Sequence, residues 1–588
     1  QNDMKFNYKL YSVCLSLLMT FCGCDNFLEE TPKGSINDTY AQTEKGAEAE
    51  LLSLYQINTE LLEQWFMVGE LGNDLMAYGG NVRDYWKGLI TYTDTYMIDN
   101  GSNEGLWKWL YVALSTINTS INSINAADFH SESRRSELLS EAHALRAFYL
   151  HQIVEIYGPA AYYAETPITS PEEIEGTQPG IATFYKRILA DLEIADQSLK
   201  SPSEVRSSSF GRMDQGIAKA IRMRALMSLA AYDEALIGEV GMQSKRHCYE
   251  EAVSVATELK NNYGYKLEND FSRIFSPDNT ENGEIIWSIQ YGNTTFDAQN
   301  NFIHRYWVSQ VNRSVRSYSK TINGLQAHSV FYGREYRAVM PTYYFINVFN
   351  KYDKRRDATF ISGYCRTDDW NELPDFSDTL LIRALDVLPQ EVKAAYESRG
   401  IICDDIADIY DTQTGAVLNN SNVRSCANNV IKWLDTSRST AKQEYAYKDA
   451  ILIRLGEVYI TLAEAYIRLG REDEAAQVIT ELRQRALIPG HEEALTVNPE
   501  DIDIPFILDE GARELGGELF RWQMLKRALD KDAFCQWIKE KNPDTNPDNG
   551  ANGIGIKPYH INRPVPLSTI NSYKVLNIEF RQNEGYAQ

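Results

Sequence analysis

The stretch Asn73–Trp86, reading NDLMAYGGNVRDYW, gathers amide, guanidinium, carboxylate and aromatic side chains within a few positions of one another. Gly79 and Gly80 break any helix there, which predicts an exposed turn presenting Asn81, Arg83, Asp84, Tyr85 and Trp86 together. That mixture suits recognition of neutral sugars. The C–H faces of a pyranose stack on rings, and its hydroxyls need side chains that donate and accept hydrogen bonds. A second candidate set is Tyr306 with Trp307 and Phe331 with Tyr332, aromatic pairs outside any helical stripe. Trp287, in the apolar run EIIW, and Trp109, on a helical pattern, are predicted to be buried.

Catalytic chemistry has weaker support. No GxSxG elbow, HExxH helix, P-loop or GxGxxG turn occurs. A glycosidase would need two carboxylates in one cleft with one pKa raised, and among 82 acidic residues such pairs arise by chance. His143 and His151 lie eight apart on one helical pattern, where core or surface histidines are commoner than ligands. Asp404, Asp405 and Asp408 could hold Ca²⁺ through oxygen atoms, though a solvated acidic loop is the plainer reading. No cofactor and no enzymatic activity are expected.

These residues must be positioned by helices. From Asp449 to Ala486, Leu452, Leu455, Tyr459, Leu462, Tyr466 and Leu469 draw one apolar stripe. Asp449 is placed to cap it and Gly470 to end it, after which Ala475, Val478, Ile479, Leu482 and Ala486 draw a second. The small and large residues of this hairpin follow the offsets of a tetratricopeptide repeat, and such a unit needs neighbours to cover both stripes. Similar patterns cover Gly105–Ala126, Leu138–Tyr157, Ile181–Leu199, Gly216–Tyr232 and Tyr249–Leu259, and return at Ile507–Trp537. Between about residues 271 and 442 the period fades into an irregular, aromatic-rich stretch with a strand-like run at Glu284–Tyr291. The expected fold is mostly α: a tetratricopeptide-like helical hairpin scaffold over about 46–270 and 443–540, a loop-rich insertion over about 271–442, and an extended tail at 555–588.

Near the N-terminus, Lys5 and Lys9 precede an apolar run from Leu10 to Phe21 and then Cys22, Gly23 and Cys24. The run is shorter than the ~20 residues that span a bilayer. Residues 1–23 read as an export signal and Cys24 as the acylated first residue of the mature chain, followed by a tether over 24–45. The formal charge of −24 becomes −25 without that signal, which disfavours nucleic acid as a partner. Mean hydropathy of −0.40 fits a globular body. Of eight cysteines, Cys248, Cys365, Cys403, Cys426 and Cys535 lie beyond the anchor, a spacing that fits no metal pattern but permits a bridge such as Cys403 with Cys426.

Further landmarks are NFLEETPKGS after Cys24, Leu145–Tyr149 followed by Tyr157, Gly158 and Pro159, Asp353 with Arg355 and Arg356, and Arg454–Glu457. Arg513–Leu515 with Glu518, Arg521, Trp522 and Arg527, then Arg563–Pro566 and Gln582–Tyr586, complete the series. In this order and spacing the chain resembles the SusD and RagB family of Bacteroidetes surface lipoproteins over nearly all of residues 24–588. Glu584 departs from the proline more usual there, in a tail expected to be structural.

The resemblance implies four stacked hairpins with the insertion supplying a ligand face, and a ligand-contacting aromatic in the loop corresponding to Asn73–Trp86. It implies a surface-exposed, lipid-anchored outer-membrane receptor. Such a receptor captures oligosaccharides and passes them to a SusC-like TonB-dependent transporter on which it sits as a lid. Asp25, Glu29 and Glu30 resemble the family's surface-export signal. A peptide receptor of the RagB kind and an α-helical-toroid glycoside hydrolase remain alternatives. As plain structure, Arg146, Arg454, Glu457, Arg513, Glu514 and Arg521 are expected to form ion pairs, with Arg454–Glu457 and Glu464–Arg468 meeting along one helix.

Overall fold

The computed structural model describes residues 40, 42–93, 97–163, 178–292, 301–418, 421–546 and 555–586. The export signal and Cys24 lie outside them. Long helices open the fold: α1 (Glu44–Glu70), α3 (Gly101–Ala126) and α4 (Glu132–Tyr157), with β1 (Met76–Tyr78) and α2 (Asp84–Thr91) between the first two. Two of them start where a polar side chain takes up orphan amides: at α1 Thr43 accepts from Gly46 N, and at α3 Asn100 accepts from Ser102 N and Asn103 N. The stripe read on α4 understates its burial. From Ser140 to Tyr157 every residue is buried, because α1, α3 and α5 (Ile181–Ala195) all pack around it.

The second group comprises α6 (Gln215–Leu229), α7 (Lys245–Asn262), α8 (Leu455–Arg468), α9 (Glu472–Gln484), α10 (Ile504–Leu515), α11 (Arg521–Ala528) and α12 (Lys531–Lys541). Here α6 packs on α7, α7 on α8, and α8 on both α9 and α10. Gly470 takes φ 72° at the α8–α9 turn, as its cap position requires. Asp449 does not cap α8. Residues Ala450–Arg454 form strand β7, antiparallel to β2 (Ile285–Ile289), and Asp449 instead accepts from Tyr291 N at 2.9 Å. The run AILIR serves two periods, and the β-branched strand preference prevails up to Arg454.

Short strands organise the irregular stretch. Strand β3 (Val339–Pro341) pairs antiparallel with β1 in the register Met76↔Pro341 and Tyr78↔Val339. Strands β4 (Gly363–Arg366), β5 (Asp375–Ala384) and β6 (Ile402–Asp405) form one small sheet. The C-terminal segment, expected to be extended, contains helix α13 (Leu567–Val575), none of whose residues is buried. No helix among the described residues is long and apolar enough to cross a membrane.

A buried charge network joins the two parts of the fold. Arg454, at the end of β7, meets Glu284 at 2.7 Å, Glu514 at 2.5 Å and Glu518 at 2.8 Å. Arg355 meets Asp353 at 2.7 Å, Glu514 at 2.8 Å and Glu510 at 2.9 Å, while Lys432 reaches Glu518 at 2.8 Å. Burial raises the Glu510 carboxyl, but Arg483, Arg355 and Arg513 more than reverse that and hold it well below the usual range. The pairings expected along one helix do not form. Glu457 pairs with Arg224, Glu464 with Arg527, Arg146 with Asp191 and Arg521 with Asp74, all between elements.

Among the described residues the cysteines are free, four buried and Cys365 half-buried, so Cys403 and Cys426 form no bridge. The acidic triplet is neither a cation site nor a solvated loop. Asp404 accepts from Ser314 Oγ at 2.6 Å and Val315 N at 2.9 Å, and Lys393 Nζ lies 2.7 Å from Asp405 and 3.5 Å from Asp408. The Lys393 ammonium thus neutralises Asp405 and Asp408, and no group of three or more His, Cys, Asp or Glu side chains that could hold a metal ion occurs among the described residues.

Candidate functional site

The β1–β3 pairing carries the first candidate loop onto the insertion. Beyond Tyr78, Gly79 N donates to Ala338 O at 2.9 Å, Asn81 N to Arg337 O at 3.0 Å and Gly80 N to Arg424 O at 3.1 Å. A Cβ on Gly79 would lie 2.3 Å from Arg337 O, so only glycine allows this approach. The consequence is a junction between two segments some 250 residues apart in the chain. Asn81 Nδ2 donates to Tyr336 O at 3.2 Å, and Arg83 Nε donates to Tyr336 Oη at 3.1 Å. Arg83 also donates to Tyr85 Oη at 2.6 Å, and that bond to Tyr85 is the main reason its guanidinium stays protonated well beyond the ordinary range.

The predicted residues separate into a rim and a floor. Asn81, Arg83 and Asp84 are exposed, and Tyr85 is half-buried. Trp86, expected on the turn surface, is only 2% exposed. It begins the buried face of α2, donates from Nε1 to Ser102 Oγ at 3.0 Å, and lies beneath the Arg83 guanidinium, whose carbon is 4.7 Å from the ring centre. Tyr306 is also buried. Its ring sits 5.3 Å from Trp86 and 5.4 Å from Tyr336, and its hydroxyl donates to Glu63. Trp307 is core, 6.3 Å edge-on to Phe66 of α1. Tyr332 belongs to a separate small core with Tyr364, its hydroxyl accepting from Cys365 N at 2.8 Å. Four of the six candidate rings, Trp86, Tyr306, Trp307 and Tyr332, are therefore packing residues here, because the loops that carry them close over α1 and the small sheet, while Tyr85 and Phe331 are half-buried. Trp287 is buried as expected, while Trp109 is only half-buried.

Tyr336, which sequence reading passed over, completes the rim. It is half-buried, with the Arg305 guanidinium 4.6 Å from its ring centre. Arg305 and Arg334 both bind Glu444, at 2.6 and 2.8 Å. The only signal was an aromatic residue within GREYRAV, where Gly and alternating residues suit a strand. His304 Nε2 lies 2.8 Å from Glu444 O; a carbonyl only accepts, so that nitrogen carries the proton. Burial lowers the His304 pKa to about 3, and Arg438 adds to the effect. Glu444 lies below its ordinary range, chiefly through the hydrogen bond from Arg305. His304 and Glu444 therefore each keep one charge state across the neutral range. The result is an open shelf: two tyrosine rings, an amide, a guanidinium and a carboxylate on a buried aromatic floor.

A cleft of about 800 Å³ lies elsewhere, among the helices, lined by Tyr232, Lys245, Tyr249, Arg468 and Lys526. Its polar groups are largely committed. Lys526 Nζ donates to Asn562 Oδ1 at 2.8 Å, and Arg527 binds Glu464 at 2.7 Å. It offers fewer uncommitted groups for sugar hydroxyls than the tyrosine shelf.

Residues 283–586 match the model described as the SusD family, and residues 26–213 match one described as starch-binding, associating with the outer membrane. A SusD-like protein of Formosa agariphila is 23% identical over 98% of this chain and 98% of its own length. The starch-binding protein SusD of Bacteroides thetaiotaomicron is 25% identical over 82% of this chain and 78% of its own. Among solved structures, surface glycan-binding protein A of Bacteroides thetaiotaomicron, in complex with laminarihexaose, superposes with a TM-score of 0.63 at 17% identity. That match covers 92% of this chain and 99% of the other.

Proposed function

The chain belongs to the SusD family, and we propose that it is a non-catalytic glycan receptor at the outer surface of the outer membrane, anchored through Cys24. The observation that carries this reading is the rim of Tyr85 and Tyr336, tied together by Arg83 and flanked by Asn81 and Asp84. Half-exposed rings beside a mixed set of donors and acceptors match the faces and hydroxyls of a neutral sugar. The starch-binding relative and the laminarihexaose complex, each a finding about another protein, support the same class of ligand. Trp86 and Tyr306 serve as the floor that orients the rim.

Calorimetry of the detergent-solubilised full chain with laminarin, amylopectin, xyloglucan, mucin glycans and peptides tests the reading. Binding to at least one polysaccharide is expected, without release of reducing ends. Tyr85→Ala combined with Tyr336→Ala lowers that affinity about ten-fold, within the range of two lost aromatic contacts. Affinity is flat between about pH 5.5 and 8. The sign is set by Glu444: its bridges are complete above the ordinary carboxylate pKa and are lost only as pH falls through the lowered folded value. It is also insensitive to salt, because neutral hydroxyls release no counterions. Binding confined to peptides would favour the RagB-like reading, and turnover would favour a hydrolase.

The same proposal assigns a SusC-like TonB-dependent transporter as partner, with the receptor closing over it as a lid. Its interface must exceed the ~1,600 Å² of an ordinary protein pair while leaving a hinge. Mild detergent extraction of native membranes recovers the two together; recovery of this chain alone at normal expression contradicts the partnership.

A further inference from the structure

Away from the tyrosine rim, the connection from β4 to β5 and the start of β5 expose an apolar group. Trp370 is 37% exposed, Leu373 67% and Phe376 59%. Large apolar side chains clustered at a surface call for a partner. This loop is held in place: Val330 N donates to Trp370 O at 2.9 Å, Ala441 N to Asn371 Oδ1 at 3.0 Å, and Asn371 N to Asp369 Oδ1 at 2.9 Å. Phe376 stands edge-on to Phe331 at 5.2 Å, and Lys442 Nζ lies 4.4 Å from the Trp370 ring centre. Rings fixed in this way lose little freedom when something stacks on them.

Their surroundings select the class of partner. Asp368, Asp369, Glu372, Asp375 and Asp378 flank the rings, against Arg366 and Lys442. Arg366 is already shared with Asp378 at 2.6 Å and Asp368 at 3.6 Å. The net negative field disfavours uronic acids, sulfated sugars, nucleic acid and anionic lipid. Carboxylates beside an indole and a phenyl ring instead suit neutral hydroxylated chains, accepting from hydroxyls while the rings take the C–H faces.

Continuity ties this patch to the rim. The segment 441–445 runs past both: Lys442 covers Trp370, and two residues later Glu444 binds Arg305 and Arg334 beside Tyr336. Two residues span at most about 7 Å, so one short stretch of backbone touches both aromatic groups through its side chains. We propose that Trp370 and Phe376 form an outlying platform for the distal sugars of an extended neutral polysaccharide whose nearer sugars lie on Tyr85 and Tyr336. This rests on the glycan-receptor reading above and adds that chain length, as well as sugar identity, governs affinity through two linked contacts.

The test compares long and short members of two series, laminarin with laminarihexaose and amylopectin with maltohexaose, on the full chain in detergent. For the series the wild type binds, Trp370→Ala combined with Phe376→Ala weakens the polysaccharide about ten-fold and leaves the hexasaccharide within about two-fold. The polar variant Trp370→Gln with Phe376→Gln behaves the same, and neither lowers the melting temperature, since the rings are exposed. Tyr85→Ala with Tyr336→Ala weakens both members of the series. Polysaccharide binding unchanged in both platform variants overturns the inference and leaves the receptor reading intact; a fall in melting temperature in both overturns it by showing that the rings are structural. If the wild type binds neither series, the same comparison is made on xyloglucan and its oligosaccharides; if it binds no polysaccharide at all, both readings fall.

Discussion

Arg454→Met lowers the unfolding free energy by about 3–5 kcal/mol, the cost of stranding buried carboxylates rather than of losing one contact. In the native fold Arg454 touches Glu284, Glu514 and Glu518, whose side chains are 0%, 0% and 9% exposed. Without it, Arg485 still reaches Glu284 and Glu514, and Lys432 still reaches Glu518, so the network is short of one cation rather than dismantled. The pH dependence separates this account from simple loss of packing. Glu514 and Glu518 are raised by burial but held below the ordinary carboxylate range by Arg485 and Arg454 at the first and Arg454 and Lys432 at the second. Their stabilisation is present above the ordinary pKa of about 4.5 and is lost as pH falls through the lowered folded values. Removing the arginine pushes the stranded carboxyls toward protonation, so the damage is greatest at about pH 8 and shrinks toward about pH 5. Denaturant unfolding at both pH values measures it. A loss under about 1 kcal/mol, or one that ignores pH, would show that the network does not hold scaffold and insertion together.

Trp307→Ala costs a comparable amount, about 3–5 kcal/mol, because the ring is 1% exposed and packed edge-on against Phe66, so its removal opens a cavity. The folded fraction of this variant keeps its glycan affinity within about two-fold. Trp86→Ala lowers stability and also affinity, since Trp86 packs under Arg83, Tyr85 and Tyr336. Thermal unfolding paired with calorimetry below the transition distinguishes the two sites. A Trp307→Ala protein with an unchanged melting temperature and lost binding would return that ring to the ligand face.

Those two tryptophans show where sequence reading ends. The helices were legible because a 3.6-residue stripe records which face is buried, and α3, α4, α6 and α7 lie where their stripes put them. Trp307 follows a four-residue helix, Ile303–Tyr306, too short to carry a period; its burial comes from Phe66, far away in the chain. The turn at Gly79 and Gly80 was legible from composition, and so was the exposure of Asn81, Arg83 and Asp84. Tyr336 was not, since only the β1–β3 register brings it to Arg83. The charge network was misread for the same reason: Arg454 and Glu457 look like helix neighbours, but their partners Glu284, Glu514, Glu518 and Arg224 arrive from other elements. Asp449 illustrates a local conflict, with one apolar run compatible with both a strand and a helix until Ile285–Ile289 supplies a pairing partner.

The most direct measurement is a structure of the full chain with an oligosaccharide from the bound polysaccharide in place. The account predicts sugar rings against Tyr85 and Tyr336, hydroxyls within hydrogen-bond reach of Asn81, Arg83 and Asp84, and Trp86 still beneath them. Sugar seated instead in the helical cleft lined by Tyr232, Lys245 and Arg468, with the tyrosine rim bare, would contradict it.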